Sequence, residues 1–273
     1  MRSSGSGAKR TGSISRTSAR LIRGTGTALD ALLAVLLAPV CPVCQTLLDH
    51  PMRGPVCPAC WDTVPLLTPP LCDRCGDPLP SWRVISQHHA RCPRCRRGRS
   101  ALDRARTISP YAGTLRRIVH LFKYQRHQTL AAPLGALMRR GAADFLADAD
   151  FVVPVPLHPR RRRERGFNQA AELAVHLGPP VVEALRRTIA TRPQIELPAA
   201  RRHRNVRGAF APARWTVTGG TELRWLRHAC VVLVDDVTTT GATLEACAGV
   251  LRRCGVREVR GLTLARAARR QSP

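Results

Sequence analysis

The sequence has no apolar run long enough to cross a lipid bilayer. Its most apolar stretch, from about Ala28 to Pro39, follows positive charge and superficially resembles a signal peptide, but a membrane-spanning helix needs about 20 apolar residues. Asp30 also argues against membrane insertion, and the chain continues directly into cysteines of metal-binding type. We therefore expect neither a transmembrane segment nor secretion, and we interpret this stretch as a short helix packed on a neighbour.

Acidic residues are scarce and lysine is almost absent. Lys and Arg outnumber Asp and Glu by 44 to 18, which gives a formal net charge of +26, and only two of the cations are lysines, Lys9 and Lys123. This balance favours polyanionic partners, either phosphorylated small molecules or nucleic acid. With 273 residues the chain is long enough for two domains and a substantial core.

The cysteines lack the spacing that suits disulfides. Eight of the eleven form C-x-x-C pairs, which hold a tetrahedral zinc ion well and imply a reducing cytoplasm. The predicted metal ligands are Cys41, Cys44, Cys57, Cys60, Cys72, Cys75, Cys92 and Cys95. Eight thiolates indicate two structural Zn²⁺ sites; sequential pairing leaves loops of 12 and 16 residues, and interleaved pairing is also open.

A buried strand that ends in two carboxylates is the most informative feature. Four aliphatic residues, Val231 to Val234, precede Asp235 and Asp236, and a turn of small residues then leads into a predicted helix from Leu244 to about Arg253. Open α/β sheets bind ligands at the carboxyl ends of their strands. The N–H groups and dipole of a helix start attract phosphate. The pattern therefore predicts a phosphate-binding loop beside a pair of acids.

Two adjacent carboxylates need a partner other than the phosphate, because like charges repel. A sugar phosphate meets this requirement, since its ribose 2' and 3' hydroxyls donate to Asp235 and Asp236 while its phosphate lies in the loop. The thirteen residues from 231 to 243 resemble the 5-phosphoribosyl-1-pyrophosphate (PRPP) motif of type I phosphoribosyltransferases. The resemblance assigns PRPP contacts to Val237, Thr238, Thr239, Thr240, Gly241, Ala242 and Thr243.

Arginines cluster in a predicted loop after a second buried strand, 151–156. The loop from His158 to Gln169 carries five arginines and precedes an amphipathic helix that runs through His176. Forked guanidinium groups in this place suit a pyrophosphate, and a solvated charge run or a nucleic-acid patch fits the same composition. The polar stretch from Thr191 to Phe210 is interpreted as a lid over the phosphate site.

The remaining periodic segments complete an α/β pattern. They are a strand over 105–111, helices over 115–123 and about 130–146, a strand pair within 214–228, and a last strand over 256–264. We expect the α/β fold of type I phosphoribosyltransferases, a mostly parallel sheet flanked by helices, preceded by a small cysteine-rich zinc-binding domain.

Residues from about 30 to 267 resemble the competence protein F (ComF) family, predicted phosphoribosyltransferases with an N-terminal double zinc ribbon. Besides the acidic motif, the resemblance depends on Phe122-Lys123-Tyr124, Val153 to Leu157, Arg165 to Gln169, Gln194-x-x-Leu197, Arg202-x-x-Asn205 and Gly208-Ala209-Phe210. It implies that Lys123 faces the site and that Arg161 and Arg165 lie near the pyrophosphate. It places three more residues in a mobile hood: Gln194, Arg202 and Asn205.

The resemblance also implies domain bounds and a function. We expect a disordered basic leader over 1–26, a short helix and zinc ribbons over 27–100, the phosphoribosyltransferase domain over 101–267, and a tail over 268–273. The implied activity is transfer of phosphoribosyl from PRPP, with Mg²⁺, to an unknown acceptor during DNA uptake. The alternative is a non-catalytic protein that senses PRPP or handles single-stranded DNA with the competence machinery.

Overall fold

The computed structural model describes residues 35, 37–79, 90–98, 100–125, 127–189, 206, 208–213 and 226–267. The chain divides into two compact units, Met1–Cys57 and Pro58–Pro273. The basic leader and the tail lie outside the described residues, as does most of the short helix expected after Ala28. The domain bounds given above remain predictions. Within the described residues, every helix falls short of the length and apolarity that crossing a membrane requires.

The first unit is built around a cysteine knuckle. Cys41 donates its backbone N–H to the carbonyl of Thr46 at 2.8 Å, and Gln45 donates its own to the carbonyl of Cys41 at 2.8 Å. A single β-bridge joins Val40 to Leu47, and a short 3-10 helix, Pro51–Arg53, follows. The tight turn therefore fixes the backbone on both sides of the first C-x-x-C pair.

The second unit contains a further ribbon, a parallel sheet and the helices around it. Its helices are α1 Pro58–Asp62, α2 Pro93–Arg97, α3 Gly113–Tyr124, α4 Ala131–Gly141, α5 Ala143–Leu146, α6 Pro159–Arg165, α7 Gln169–Ala174 and α8 Ala242–Arg253. Its strands are β1 Arg104–Pro110, β2 Phe151–Pro154, β3 Leu185–Arg187, β4 Phe210–Pro212, β5 Cys230–Thr238 and β6 Glu258–Arg266. A 3-10 turn, Gln128–Leu130, leads into α4.

Four of the strands form one parallel sheet in the order β1-β6-β5-β2. The central strands β5 and β6 are buried along most of their length on both faces, as expected of a parallel sheet covered by helices. Helix α7 packs against β2 and β5, and α8 packs against β5 and β6. The predicted α/β class, a parallel sheet flanked by helices, is confirmed. β3 and β4 form a separate antiparallel pair.

Two predicted segments differ from the structure. The helix expected from 130 to 146 is divided, because Ala142 leaves the helical region and Gly141 packs so closely on Ile108 that an added Cβ would lie 3.0 Å from its side chain. The arginine loop expected after His158 instead contains helix α6. Proline at the first helical position, an N–H from Arg160 to His158 Nδ1 and a left-handed Gly166 begin and end this helix.

Candidate active site and metal centres

The eight C-x-x-C cysteines form two groups of four. Within each group the sulfur atoms lie within 4.8 Å of one another, and the groups are Cys41, Cys44, Cys57 and Cys60, and Cys72, Cys75, Cys92 and Cys95. The sequential pairing is therefore correct and the interleaved one is not. All eleven cysteines lie in the described part of the chain, and no disulfide joins any two of them.

Each group fits zinc. Tetrahedral coordination with Zn–S bonds near 2.3 Å places sulfurs about 3.8 Å apart, and the Cys44–Cys57 and Cys75–Cys92 sulfur distances are 3.5 and 3.7 Å. The N–H of Cys92 also points to the sulfur of Cys72 at 3.3 Å, which stabilises a thiolate. The two Cys₄ groups are consistent with two structural zinc ions.

The two acids lie in the second half of β5, beyond the point where one neighbouring strand has ended. β2 pairs with β5 only as far as Val234, whereas β6 continues alongside to Thr238. The last backbone hydrogen bond on this side runs from the Val155 N–H to the Val234 carbonyl at 2.9 Å. The β2 side of β5 is therefore open at the level of Asp235 and Asp236.

Asp236 forms an ion pair with Lys123. The Lys123 Nζ atom lies 2.9 Å from a carboxylate oxygen of Asp236, and the two side chains are only 12% and 10% exposed. Lys123 comes from the last turn of α3, so its side chain reaches this edge of the sheet from an earlier helix. A buried charge pair of this kind neutralises one of the two acids and leaves the other to a ligand.

The charge of Asp235 is compensated less than that of Asp236, which pairs with Lys123. Burial, followed by the neighbouring charge of Asp236, raises the pKa of Asp235 to about 7, against the lowering effect of Lys123. Its Oδ1 accepts the backbone N–H of Asp236 at 2.8 Å. The unliganded site therefore holds Asp235 in a state that a hydroxyl donor or a cation would stabilise.

Substitution Asp235→Asn is expected to stabilise the unliganded protein at pH 8. A carboxyl whose pKa rises on folding favours the folded state at low pH, and that contribution is lost as pH rises from about 4 through 7. Asparagine does not ionise, so the variant should gain on the order of 2–4 kcal/mol over wild type at pH 8 and little at pH 4. Urea unfolding at both pH values measures this, and an equal difference at the two pH values would contradict the argument.

The loop after β5 turns directly into a helix. Gly241 is left-handed with φ 82°, and the twelve-residue helix α8 starts at the next residue. The N–H groups at a helix start are able to bind an anion. A residue with a Cβ would be strained at this φ although nothing lies within 4 Å of the added atom. Thr240 Oγ1 lies 3.4 Å from the Ala242 N–H that donates to it.

Three of the sequence motifs that carry the resemblance meet around Lys123. Phe122, the residue before Lys123, contacts Phe167, and their ring centroids are 5.3 Å apart. Tyr124, the residue after Lys123, has the guanidinium group of Arg165 above its ring at 5.3 Å. Asn168 donates to the carbonyl of Val155 at 3.1 Å. The Phe-Lys-Tyr, Arg-Gly-Phe-Asn-Gln and Val-Pro-Val-Pro segments thus form one packed support for the acids.

The arginines of α6 divide by exposure. Arg161 and Arg165, one helical turn apart, are half-buried, whereas Arg160, Arg162 and Arg163 are exposed. Arg165 also donates to Gln169 Oε1 at 2.9 Å. The two arginines assigned to pyrophosphate are therefore the pair that faces the protein. Gln194, Arg202 and Asn205, the three hood residues, lie outside the described residues.

One cation near the acids was missed in the sequence. Arg187 lies on β3, is half-buried against the ring of Phe210 at 5.2 Å, and its pKa is lowered by burial and by the charge of Arg161. Its charge in turn lowers the pKa of Asp235. No periodic pattern marks this residue, because only the β3-β4 pair places it between Arg161 and Asp235.

Proteins similar to this chain have names linked to DNA and competence. Competence protein F of Haemophilus influenzae is 30% identical over 80% of this chain and 93% of its own length. DNA utilization protein YhgH of Escherichia coli (strain K12) is 34% identical over 72% of this chain and 84% of its own. Competence protein ComFC of Bacillus subtilis is 26% identical over 73% of this chain and 79% of its own length. A double zinc ribbon domain matches residues 32–96.

Two of the solved structures that resemble this chain cover about half of it. The allosteric regulatory enzyme of purine biosynthesis is 24% identical, with a TM-score of 0.31, over 49% of this chain and 25% of that one. A purine phosphoribosyltransferase from Pyrococcus horikoshii is 16% identical, with a TM-score of 0.28, over 50% of this chain and 81% of that one. The predicted parallel sheet and the cysteine-rich zinc region before it are confirmed by the strand order, the two cysteine groups and the matched zinc ribbon domain.

Proposed function

The chain belongs to the competence protein F family, and from that premise we propose that it binds PRPP and transfers its phosphoribosyl group to an acceptor, with release of pyrophosphate, in the handling of incoming DNA. The observation that carries the proposal is the joint placement of Asp235, Asp236 and the 238–243 loop at the open edge of β5. The C-x-x-C spacing of eight cysteines, which suits zinc and not disulfides, supports a cytoplasmic location.

The acids are proposed to hold the ribose and the loop its 5'-phosphate. Ionised carboxylates accept hydroxyl hydrogen bonds that are stronger than neutral ones, and Lys123 pairs with the Asp236 carboxylate at 2.9 Å. Loop N–H groups at the start of α8 donate to the phosphate. This arrangement would hold the sugar at the edge of the sheet.

In the proposed reaction the bond between C1 and the pyrophosphate oxygen breaks, and its electron pair leaves with pyrophosphate. The acceptor then forms the new bond to C1. Arg161, Arg165 and Arg187 are the cations proposed to stabilise the departing anion, since charge develops there in the transition state. No described residue is assigned as general base, which fits a dissociative displacement in which the acceptor enters late.

Mg²⁺ is implied by the family resemblance, and the oxygen donors of the site fit it. Mg²⁺ prefers carboxylate oxygens combined with substrate phosphates, and Asp235 and Asp236 are the two carboxylates beside the loop. They would hold the ion together with PRPP oxygens. When bound, it would add positive charge against the leaving pyrophosphate.

Arg187→Ala is expected to weaken pyrophosphate and PRPP binding about tenfold, which corresponds to the loss of one charge-assisted hydrogen bond. Arg186→Ala is the matched control, because Arg186 is the adjacent residue on β3, is exposed and donates to the Pro212 carbonyl at 3.1 Å. Calorimetry with Mg²⁺ present measures both. Equal losses of affinity in the two variants would show a general effect of positive charge. Arg187 would then not be part of the binding site.

A non-catalytic role in binding single-stranded DNA is the second candidate. The exposed cations of α6, Arg160, Arg162 and Arg163, favour it, because phosphate contacts by exposed arginines give strong, salt-dependent binding. Pyrophosphate release with candidate acceptors would favour the enzyme. DNA binding that weakens steeply with salt and is lost in Arg160→Ala/Arg163→Ala, without any turnover, would favour the binding protein.

A further inference from the structure

The second zinc ribbon contacts the phosphate loop directly. Arg94 lies on α2 between the zinc ligands Cys92 and Cys95, and its Nη1 donates to the carbonyl of Thr240 at 3.3 Å. Thr240 is the residue before Gly241, whose left-handed backbone sets the direction of the loop. One hydrogen bond thus joins a zinc knuckle to the loop peptide that must point correctly for a phosphate.

A second link runs through the end of β6. Arg266 donates to the carbonyl of the zinc ligand Cys75 at 2.7 Å and pairs with Asp77 at 2.5 Å. Arg266 is also the register partner of Thr238, where the loop begins. The next residue, Ala267, donates its N–H to the carbonyl of Thr238 at 2.9 Å. The other zinc knuckle is therefore tied to the start of the same loop.

Third, the segment that follows the ribbon holds the first turn of α8. Glu245 accepts hydrogen bonds from the hydroxyl of Ser100 and from the backbone N–H of Ala101, the latter at 2.9 Å. The ribbon itself is seated on β1, because Gly76 approaches the strand so closely that an added Cβ would lie 2.7 Å from the Ala105 carbonyl. The ribbon is thus a fixed body relative to the sheet.

Between these contacts a cavity of about 290 Å³ separates the ribbon from the loop. It is lined by Arg74 and Arg94 on one side and by Thr240 and Gly241 on the other. Because the cavity interrupts continuous packing, the few directed hydrogen bonds at its rim determine where the loop lies. Removing one of these hydrogen bonds should make the loop more mobile without creating a cavity in the hydrophobic core.

We propose that the second zinc ribbon positions the phosphate loop, with Arg94 as the positioning residue. As a consequence, zinc and PRPP bind with positive coupling, so that each raises the affinity for the other. The zinc ion binds at Cys72, Cys75, Cys92 and Cys95, and PRPP binds at residues 238–243. The coupling to PRPP depends on the function proposed above. Coupling between two ligands is reciprocal, so PRPP must raise the affinity for zinc by the same factor by which zinc raises the affinity for PRPP. The contacts described above all come from the second ribbon and the segment after it, so the first zinc site serves as an internal reference.

The test uses full-length, zinc-loaded wild type, Arg94→Ala and Arg97→Ala. Arg97 lies on the same helix and is exposed, so it controls for loss of charge. PRPP should raise the affinity for one of the two zinc ions, measured by equilibrium competition with a chromogenic chelator, about fivefold in wild type and Arg97→Ala, within the usual range of coupling. In Arg94→Ala this gain in zinc affinity should fall below about twofold, and the Kd for PRPP should rise about fivefold.

A ligand-free measurement separates this proposal from the proposed function. Hydrogen exchange of the amides at 239–243 should be faster in zinc-loaded Arg94→Ala than in wild type or Arg97→Ala, and chelation should speed it in wild type. Unchanged loop exchange in Arg94→Ala overturns the positioning role, whether or not PRPP binds. Failure of wild type to bind PRPP, with the exchange result as expected, overturns the proposed function and leaves the loop contact established.

Discussion

Replacing both acids, Asp235→Asn with Asp236→Asn, is expected to reduce PRPP affinity by about 100-fold or more. Each substitution removes a charged acceptor for a ribose hydroxyl, and hydrogen bonds to charged groups contribute about 1.5–3 kcal/mol each, so two correspond to roughly two to four orders of magnitude in Kd. Calorimetry with PRPP and Mg²⁺ measures the change. The amides preserve side-chain shape, and the amide that replaces the Asp236 carboxylate still offers an oxygen to Lys123.

The double variant should lose binding without losing its fold. Asp235 has its pKa raised to about 7 by burial, so its neutral replacement removes an unfavourable charge. Asp144→Asn is the matched control, because its carboxylate is 63% exposed and pairs only with Arg106 at 3.4 Å among the contacts described for it. If the double variant binds PRPP as tightly as this control does, the acids do not hold the ribose.

Zinc content is expected to fall from two ions per chain to one when a ligand of either group is replaced. Structural zinc binds peptides with about 10–16 kcal/mol at pH 7, and a tetrahedral site that loses one of four thiolates loses most of that. Cys44→Ser should empty only the first site and Cys92→Ser only the second, since the groups share no ligand. Elemental analysis of the purified proteins gives the count.

The control for this experiment is Cys254→Ser. Cys254 is a half-buried thiol outside both groups, so its variant should keep two ions. Loss of both ions from Cys44→Ser or from Cys92→Ser would show that the sites are not independent. One ion in wild type would mean that one of the two groups is not a zinc site.

Local patterns in the sequence were sufficient for the strand, the loop and the cysteine knuckles. A run of aliphatic residues predicted the interior of β5, and the small residues before Leu244 predicted the turn into α8. These predictions succeeded because each depends on residues within a few positions of one another. The same local logic failed at α6, where charge suggested a loop although Pro159 and Gly166 delimit a helix.

The sequence alone determined the chemical groups available to this protein: eight paired thiols, two adjacent acids, and a loop of threonines and glycine before a helix. Only the tertiary structure decided how these groups are combined. It paired the zinc ligands sequentially, brought Lys123 of an early helix to Asp236, and placed Arg94 against Thr240, 146 positions away. The physical reason is that such contacts arise from the register of parallel strands and the packing of helices on them, which no local pattern specifies.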